Sequence, residues 1–220
     1  MSISIIQSRF IRKISSSSVI RNSFIYVFCD GLNKAIPFLL LPFITHYLTP
    51  ADYGIVTNYN VLVQIISVFA CSCTAAALPV MYAKLDKNEI KHYVSNMIFL
   101  NTAANVICVL VVLPIHQLIE ETLSISFVYQ LSVLVLVWFS GITNLNMLLW
   151  RREEKPSGFG IYQISQSVVN AMGTIMLVIV LLLGWQGRIY SMIITTVLFG
   201  LISVYILFKR GYIEWGINKV

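Results

Sequence analysis

Charge is what this sequence has least of. Only 11% of its 220 residues are Asp, Glu, Lys or Arg, while 58% are apolar and the mean hydropathy is +0.82. Soluble domains carry about 25% charged residues. So few charges cannot cover a water-facing surface, which excludes a soluble enzyme and places the chain in a membrane. The net charge of +6 would suggest a nucleic-acid partner in a soluble protein. Here it reports how loops are distributed, and no nucleic-acid partner is expected.

Other absences narrow the chemistry. There is no GxxxxGK[ST] loop, so no ATPase is encoded, and there is no HExxH zinc motif. His46, His92 and His116 are scattered near the ends of apolar runs. The carboxylates form no active-site pair. Cys29, Cys71, Cys73 and Cys108 all fall in apolar runs, and Cys71-Ser72-Cys73 has neither zinc nor redox spacing. No enzyme activity, metal site or cofactor is therefore expected. Residues 1–22 are basic and contain a serine run, but no apolar core precedes a small-residue cleavage site. They read as a cytoplasmic, interfacial segment.

What remains is long apolar runs. A spanning helix needs roughly 20 mostly apolar residues. Six runs qualify, at about 23–47, 50–77, 93–115, 125–149, 159–183 and 189–208. The predicted fold is an all-α bundle with a six-helix lobe over 23–209 and a tail over 210–220. Thr49-Pro50-Ala51-Asp52 predicts a tight turn with a capped helix start, and Asp86 with Glu89 predicts another. Ser124 is expected to cap the fourth span. Gly184-Trp185-Gln186-Gly187-Arg188 reads as a tight turn before the sixth.

Positive charge sets orientation. Thirteen of the fifteen basic residues fall on one side of a six-span arrangement. They are Arg9, Arg12, Lys13 and Arg21 in the N-terminal segment, and Lys84, Lys87 and Lys91 between spans 2 and 3. Arg151, Arg152 and Lys155 lie between spans 4 and 5, and Lys209, Arg210 and Lys219 at the C-terminus. Arg188 stands alone on the other side, and Lys34 lies within a span. Both termini are expected in the cytoplasm.

Polar residues recur within the spans in steps of three and four, so they share helix faces. Span 2 carries Thr57, Asn60, Gln64, Ser67, Cys71 and Thr74, and span 5 carries Gln163, Gln166, Asn170 and Thr174. Span 3 has Asn101 and Asn105, and span 4 has Ser140 and Asn144. Such residues either hold helices together or line a wet cavity. Span 1 is the most unusual. Tyr26, Asp30, Asn33, Lys34 and Pro37 share one face, opposite Val27, Phe28, Leu32 and Leu39. A charge at the bilayer centre costs at least about 2.5–3.5 kcal/mol. Asp30 and Lys34 could neutralise each other as an i, i+4 pair, or serve a substrate or ion path. The candidates for that path are Asp30, Asn33, Lys34, Asn60, Gln64, Gln166 and Asn170. Pro37 and Pro42 are expected to kink span 1, because neither can donate a backbone hydrogen bond. The charged loop Arg151-Arg152-Glu153-Glu154-Lys155 reads as a solvated anchor or as a guide for an anionic headgroup.

The run Gly31-Leu-Asn-Lys34-Ala-Ile-Pro37-Phe-Leu-Leu-Leu-Pro42, followed by Tyr47-Leu48-Thr49-Pro50-Ala51-Asp52-Tyr53-Gly54, resembles the start of bacterial oligosaccharide flippases. These are O-antigen and capsule repeat-unit transporters of the multidrug/oligosaccharidyl-lipid/polysaccharide exporter superfamily. The loop Arg151 to Lys155 and the stretch Gly184 to Arg188 also resemble that family at matching places. The resemblance covers essentially the whole chain. It implies movement of an undecaprenyl-diphosphate-linked oligosaccharide across the bacterial inner membrane, with membrane lipid and that glycolipid as partners. It also implies two six-span lobes around a central cavity, of which this chain supplies one. A truncated form is thus expected, with Gly211 to Trp215 leading towards a second lobe or with a homodimer completing the cavity. Half of a small-molecule antiporter and an inert truncated membrane protein are the alternatives. A membrane-embedded sugar polymerase or glycosyltransferase fits less well, because every loop is short.

Overall fold

A computed structural model describes residues 18–213 apart from residue 83, and side chains from residue 21 onward except at 71–77, 87 and 88. The expectations for residues 1–17 and 214–220, and for the side chains of Cys71, Cys73, Thr74 and Lys87, lie outside the described residues.

The chain is all-helical among those residues, with six helices long and apolar enough to span a membrane. They are α1 Ser18–Tyr47, α2 Pro50–Tyr82, α3 Lys87–Leu123, α4 Phe127–Arg152, α5 Pro156–Thr174 and α6 Gly184–Lys209. A π-helical segment, Ile175–Val180, continues α5. Helix α1 packs mainly on α5, and α2 packs on α3 and α4. Helix α6 lies against α4, α5 and the π segment and touches α2 less. The α1–α2 turn therefore joins two helices that lean on different partners.

The caps follow from local chemistry. The Asp52 carboxylate accepts the Thr49 amide (3.1 Å) and hydroxyl (2.7 Å), while the Asp52 amide donates to Thr49 Oγ1 (3.2 Å). Asp86 and Glu89 mark the start of α3 as predicted, and they do so by forming a reciprocal box. Helix α1 continues past Pro37 and Pro42, and the Thr45 hydroxyl donates to the carbonyls of Leu41 and Pro42.

Three local expectations are corrected. Ser124 does not cap α4. It closes α3 in the left-handed region (φ 56°) with its amide on the Glu120 carbonyl, and Ser126 occupies the position before α4. Helix α3 runs to Leu123 rather than Ile115, because nothing after Pro114 breaks the helical pattern until Ser124. Gly184 to Arg188 is not a turn but the first part of α6. The left-handed backbone of the reversal lies at Leu182 (φ 51°) and at Gly184 (φ 56°), where α6 begins. Gly187 then packs so closely on the π segment that an added Cβ would lie 2.8 Å from the Leu177 carbonyl oxygen.

One apolar core cluster, including Tyr59, Ile66, Val133, Val137 and Ile189, joins α2, α4 and α6. A second, including Leu78, Val94, Leu145, Leu149 and Leu207, lies towards the end carrying the loops rich in Lys and Arg. That end is called the basic end below. Phe24, Phe28, Phe38, Leu110 and Leu118 are exposed, as lipid-facing side chains are. Lipid tails remove the hydrophobic drive for helices to associate, so close packing and hydrogen bonds hold such a bundle together. Asn105 donates to the Leu134 carbonyl (3.1 Å) and Asn101 to that of Trp138 (3.4 Å). The polar pair of span 3 therefore ties α3 to α4.

Candidate functional site

The α1 face meets the end of α4 and the length of α5 through a row of polar contacts. At the basic end, the Tyr26 hydroxyl donates to the Trp150 carbonyl (3.4 Å) and the Tyr26 ring stands edge-on to Phe159. One turn further, Asp30 accepts Arg151 Nη2 at 3.1 and 3.2 Å and Gln163 Nε2 at 2.8 Å. The Arg151 guanidinium also lies 4.5 Å above the Phe159 ring. Next, the Ser167 hydroxyl donates to Asn33. Gly160 lets α5 approach the buried Cys29 thiol, which would collide with any Cβ there.

Asp30 and Lys34 do not form the i, i+4 pair that their spacing permits. Asp30 turns towards α4 and α5, whereas Lys34 is exposed and, among the described residues, has no carboxylate at ion-pair distance. Arg151 belongs to the last turn of α4, so Asp30 sits level with that helix end rather than at mid-span. Side-chain exposures of 44% for Arg151 and 40% for Asp30 fit a partly solvated position.

Beyond Asn33 the α1–α5 seam opens into a cavity of ≈ 270 Å³ between α1, α5 and α6. Its polar lining is Asn33, Gln166, Ser167, Asn170, Arg188, Thr195 and Thr196, with Ile36, Pro37, Leu40 and Ala171 completing the wall. Among the described residues, Arg188 is its only charged lining group. Nη1 of Arg188 donates to Asn170 Oδ1 and Thr174 Oγ1, both at 2.6 Å. Ser191 Oγ donates to the Asn170 carbonyl (2.8 Å), which also accepts the Thr174 hydroxyl (2.8 Å).

These contacts engage one nitrogen of a group that has five N–H donors. Among the described residues no carboxylate lies at ion-pair distance from Arg188. A guanidinium surrounded by neutral amides and hydroxyls keeps its charge uncompensated, and its planar fork matches carboxylate or phosphate oxygens. The cavity is chemically suited to an anion.

The structure thus brings Asn33, Gln166 and Asn170 together and places Asp30 beside them at the basic end. It does not bring Asn60 and Gln64 to the same cavity. Helix α2 buries Val56, Tyr59, Leu62 and Ile66 instead, leaving Gln64 exposed and Asn60 half-buried on a separate flank. On α4 the buried polar residues are Gln130, Thr143 and Asn146, while Asn144 is exposed. The larger apolar groove between α2 and α3, ≈ 520 Å³, has, among the described residues, Thr122 as its only hydroxyl-bearing lining residue and no charged one.

Arg188 is the site residue that sequence reasoning missed. The signal was present, since it was the one basic residue outside both span 1 and the clustered loops. Reading Gly184 to Arg188 as a tight turn hid it.

A family described as polysaccharide biosynthesis protein matches residues 19–220. No curated protein and no solved structure matches the chain.

Proposed function

Because this chain belongs to the polysaccharide biosynthesis protein family, we propose that it contributes a helical lobe to a flippase for lipid-linked oligosaccharide, an undecaprenyl diphosphate carrier in the bacterial inner membrane. A membrane transporter role is supported by that family and by six helices of spanning length. The observation that carries the finer reading is Arg188 in the polar cavity between α1, α5 and α6, charged and without an acidic partner among the described residues. A diphosphate supplies the missing negative charge, and the surrounding amides and hydroxyls can share its oxygens. Lys34, exposed beside the seam, adds a second positive charge on the path from the basic end. The basic end faces the cytoplasm by the distribution of Lys and Arg, so a substrate made inside meets Asp30, Lys34 and Arg151 first.

The test is surface polysaccharide in a strain lacking its own flippase of this family, complemented with the complete gene product. Arg188→Gln is expected to lower surface polysaccharide by at least about tenfold at matched protein level, with lipid-linked oligosaccharide accumulating inside. A removed ionic contact to a substrate is worth about 1.5–3 kcal/mol, which sets that scale. Undiminished polysaccharide in Arg188→Gln would overturn the assignment of the cavity.

A further inference from the structure

The end of α4 and the loop after it form the most charged stretch of the chain, yet one of its side chains is not solvated. Arg152, Glu154 and Lys155 are exposed, whereas the Glu153 side chain is only 10% exposed. A buried carboxylate is unfavourable unless it is paired and hydrogen-bonded. Glu153 is paired, and two of its partners lie just past the end of α6. Glu153 Oε1 accepts the Arg210 guanidinium and the Tyr212 hydroxyl (3.0 Å), and Oε2 lies 2.9 Å from Lys155 Nζ. The Arg210 guanidinium also lies 5.0 Å above the Tyr212 ring.

The backbone of this segment is closed at the same place. The amide of Arg210 donates to the Ile206 carbonyl (3.0 Å), that of Gly211 to Phe208 (3.0 Å) and that of Tyr212 to Leu207 (2.9 Å). Gly211 takes φ +70°, which turns the chain back across the helix end. Tyr212 and Ile213 then pack on the core cluster of Leu78, Val94, Leu149 and Leu207. An ordinary helix terminus would need only the backbone bonds. Here a carboxylate from another helix pair reaches in and binds two side chains of the departing segment.

We propose that Glu153 is a positioning residue that clamps the segment Arg210 to Ile213 onto the α4–α5 loop and so fixes the course of the chain as it leaves α6. Two residues earlier, in the last turn of α4, Arg151 holds α1 through Asp30. One short stretch therefore ties both the first helix and the segment after the last helix to the α4–α5 corner. A shift of that corner carries the departing chain with it.

Hydrogen exchange measured on the full chain in detergent or nanodisc tests this. Glu153→Gln keeps the shape of the side chain and removes its charge. Exchange of the amides of Gly211 and Tyr212 is expected to rise by about tenfold or more, while peptides from α2 and α3 keep their wild-type rates. Tyr212→Phe removes one bond to Glu153 and should give a smaller rise. Glu154→Gln, an exposed neighbour, should give none. Glu153→Asp, which keeps the charge on a shorter stem, should recover part of the protection. Wild-type exchange at Gly211 and Tyr212 in Glu153→Gln would overturn the proposal, as would an equal rise in Glu154→Gln. A rise spread over every helix would also overturn it, by assigning Glu153 to global stability.

Discussion

Arg151 Nη2 lies 3.1 and 3.2 Å from the two carboxylate oxygens of Asp30, 121 positions earlier in the chain. Asp30 has Lys34 one helical turn away on its own helix and is nonetheless paired across the bundle. Tertiary packing therefore decided which cation neutralises the acid of span 1, and it left Lys34 free of a carboxylate among the described residues.

That arrangement separates the roles of Asp30 and Lys34. Both partners of the Asp30–Arg151 pair are more than a third exposed, so solvent screening limits its worth to about 0–1 kcal/mol. Asp30→Asn and Arg151→Gln should each lower the unfolding temperature in detergent only slightly, and the double variant should be no worse than the worse single. Lys34→Gln is expected to leave that temperature unchanged and to lower transport. A Lys34→Gln protein with full surface polysaccharide at matched expression removes Lys34 from the path.

Gly187 offers a direct probe of the α6 start. An alanine Cβ at that position would stand 2.8 Å from the Leu177 carbonyl oxygen, a backbone atom that cannot rotate aside. Gly187→Ala is therefore expected to destabilise the protein by about 1–3 kcal/mol. Gly54→Ala, where an added Cβ meets nothing within 4 Å, is the control and should be near neutral. Equal unfolding temperatures for the two variants would mean that α6 does not approach the π segment this closely.

Orientation is expected to follow from charge. Cysteines introduced at Lys87 and Arg152 in a cysteine-free background should react with a membrane-impermeant maleimide only after the cells are opened. Cysteines at Glu121 and Ser126, both exposed at the other end, should react in intact cells. Labelling of the Lys87→Cys protein from outside would reverse the assignment.

The Glu153 clamp has a defined dependence on pH. Burial opposes ionisation of Glu153, but hydrogen bonds from Lys155 and Arg210 outweigh it and hold the carboxyl below its ordinary value of 4.5. A depressed carboxylate pKa contributes stability that is complete above the ordinary value and is lost as pH falls through the folded one. Burial and the adjacent Glu153 carboxylate push the Tyr212 phenol up from 10.0 to about 12, so its contribution fades as pH rises across that interval. Lys91, whose ammonium lies near Gly211, and Tyr82 also face the segment. Protection of the Gly211 and Tyr212 amides, corrected for intrinsic exchange, should be level between pH 6 and 8, where neither group titrates. It should fall below pH 4.5 in the wild type. A steady slope between pH 6 and 8 would show that another group controls the segment.

Much of this protein was written in local order. The six spans follow from apolar length, and the helix starts at Pro50 and Lys87 follow from side chains that satisfy nearby amides. The polar face of α5 was legible as well, because Gln163, Gln166, Asn170 and Thr174 recur at the helical period and do face α1 or α6. Periodicity states that residues share a face, not what that face meets. The same spacing on α2 put Asn60 and Gln64 on one flank, away from the cavity, because Val56, Tyr59, Leu62 and Ile66 claimed the packed side. It was tertiary structure that paired Asp30 with Arg151, turned Glu153 inward to Arg210 and Tyr212, and set Arg188 against Asn170 and Thr174. Each of these depends on where a long side chain ends up after distant helices have packed, and no local rule fixes that.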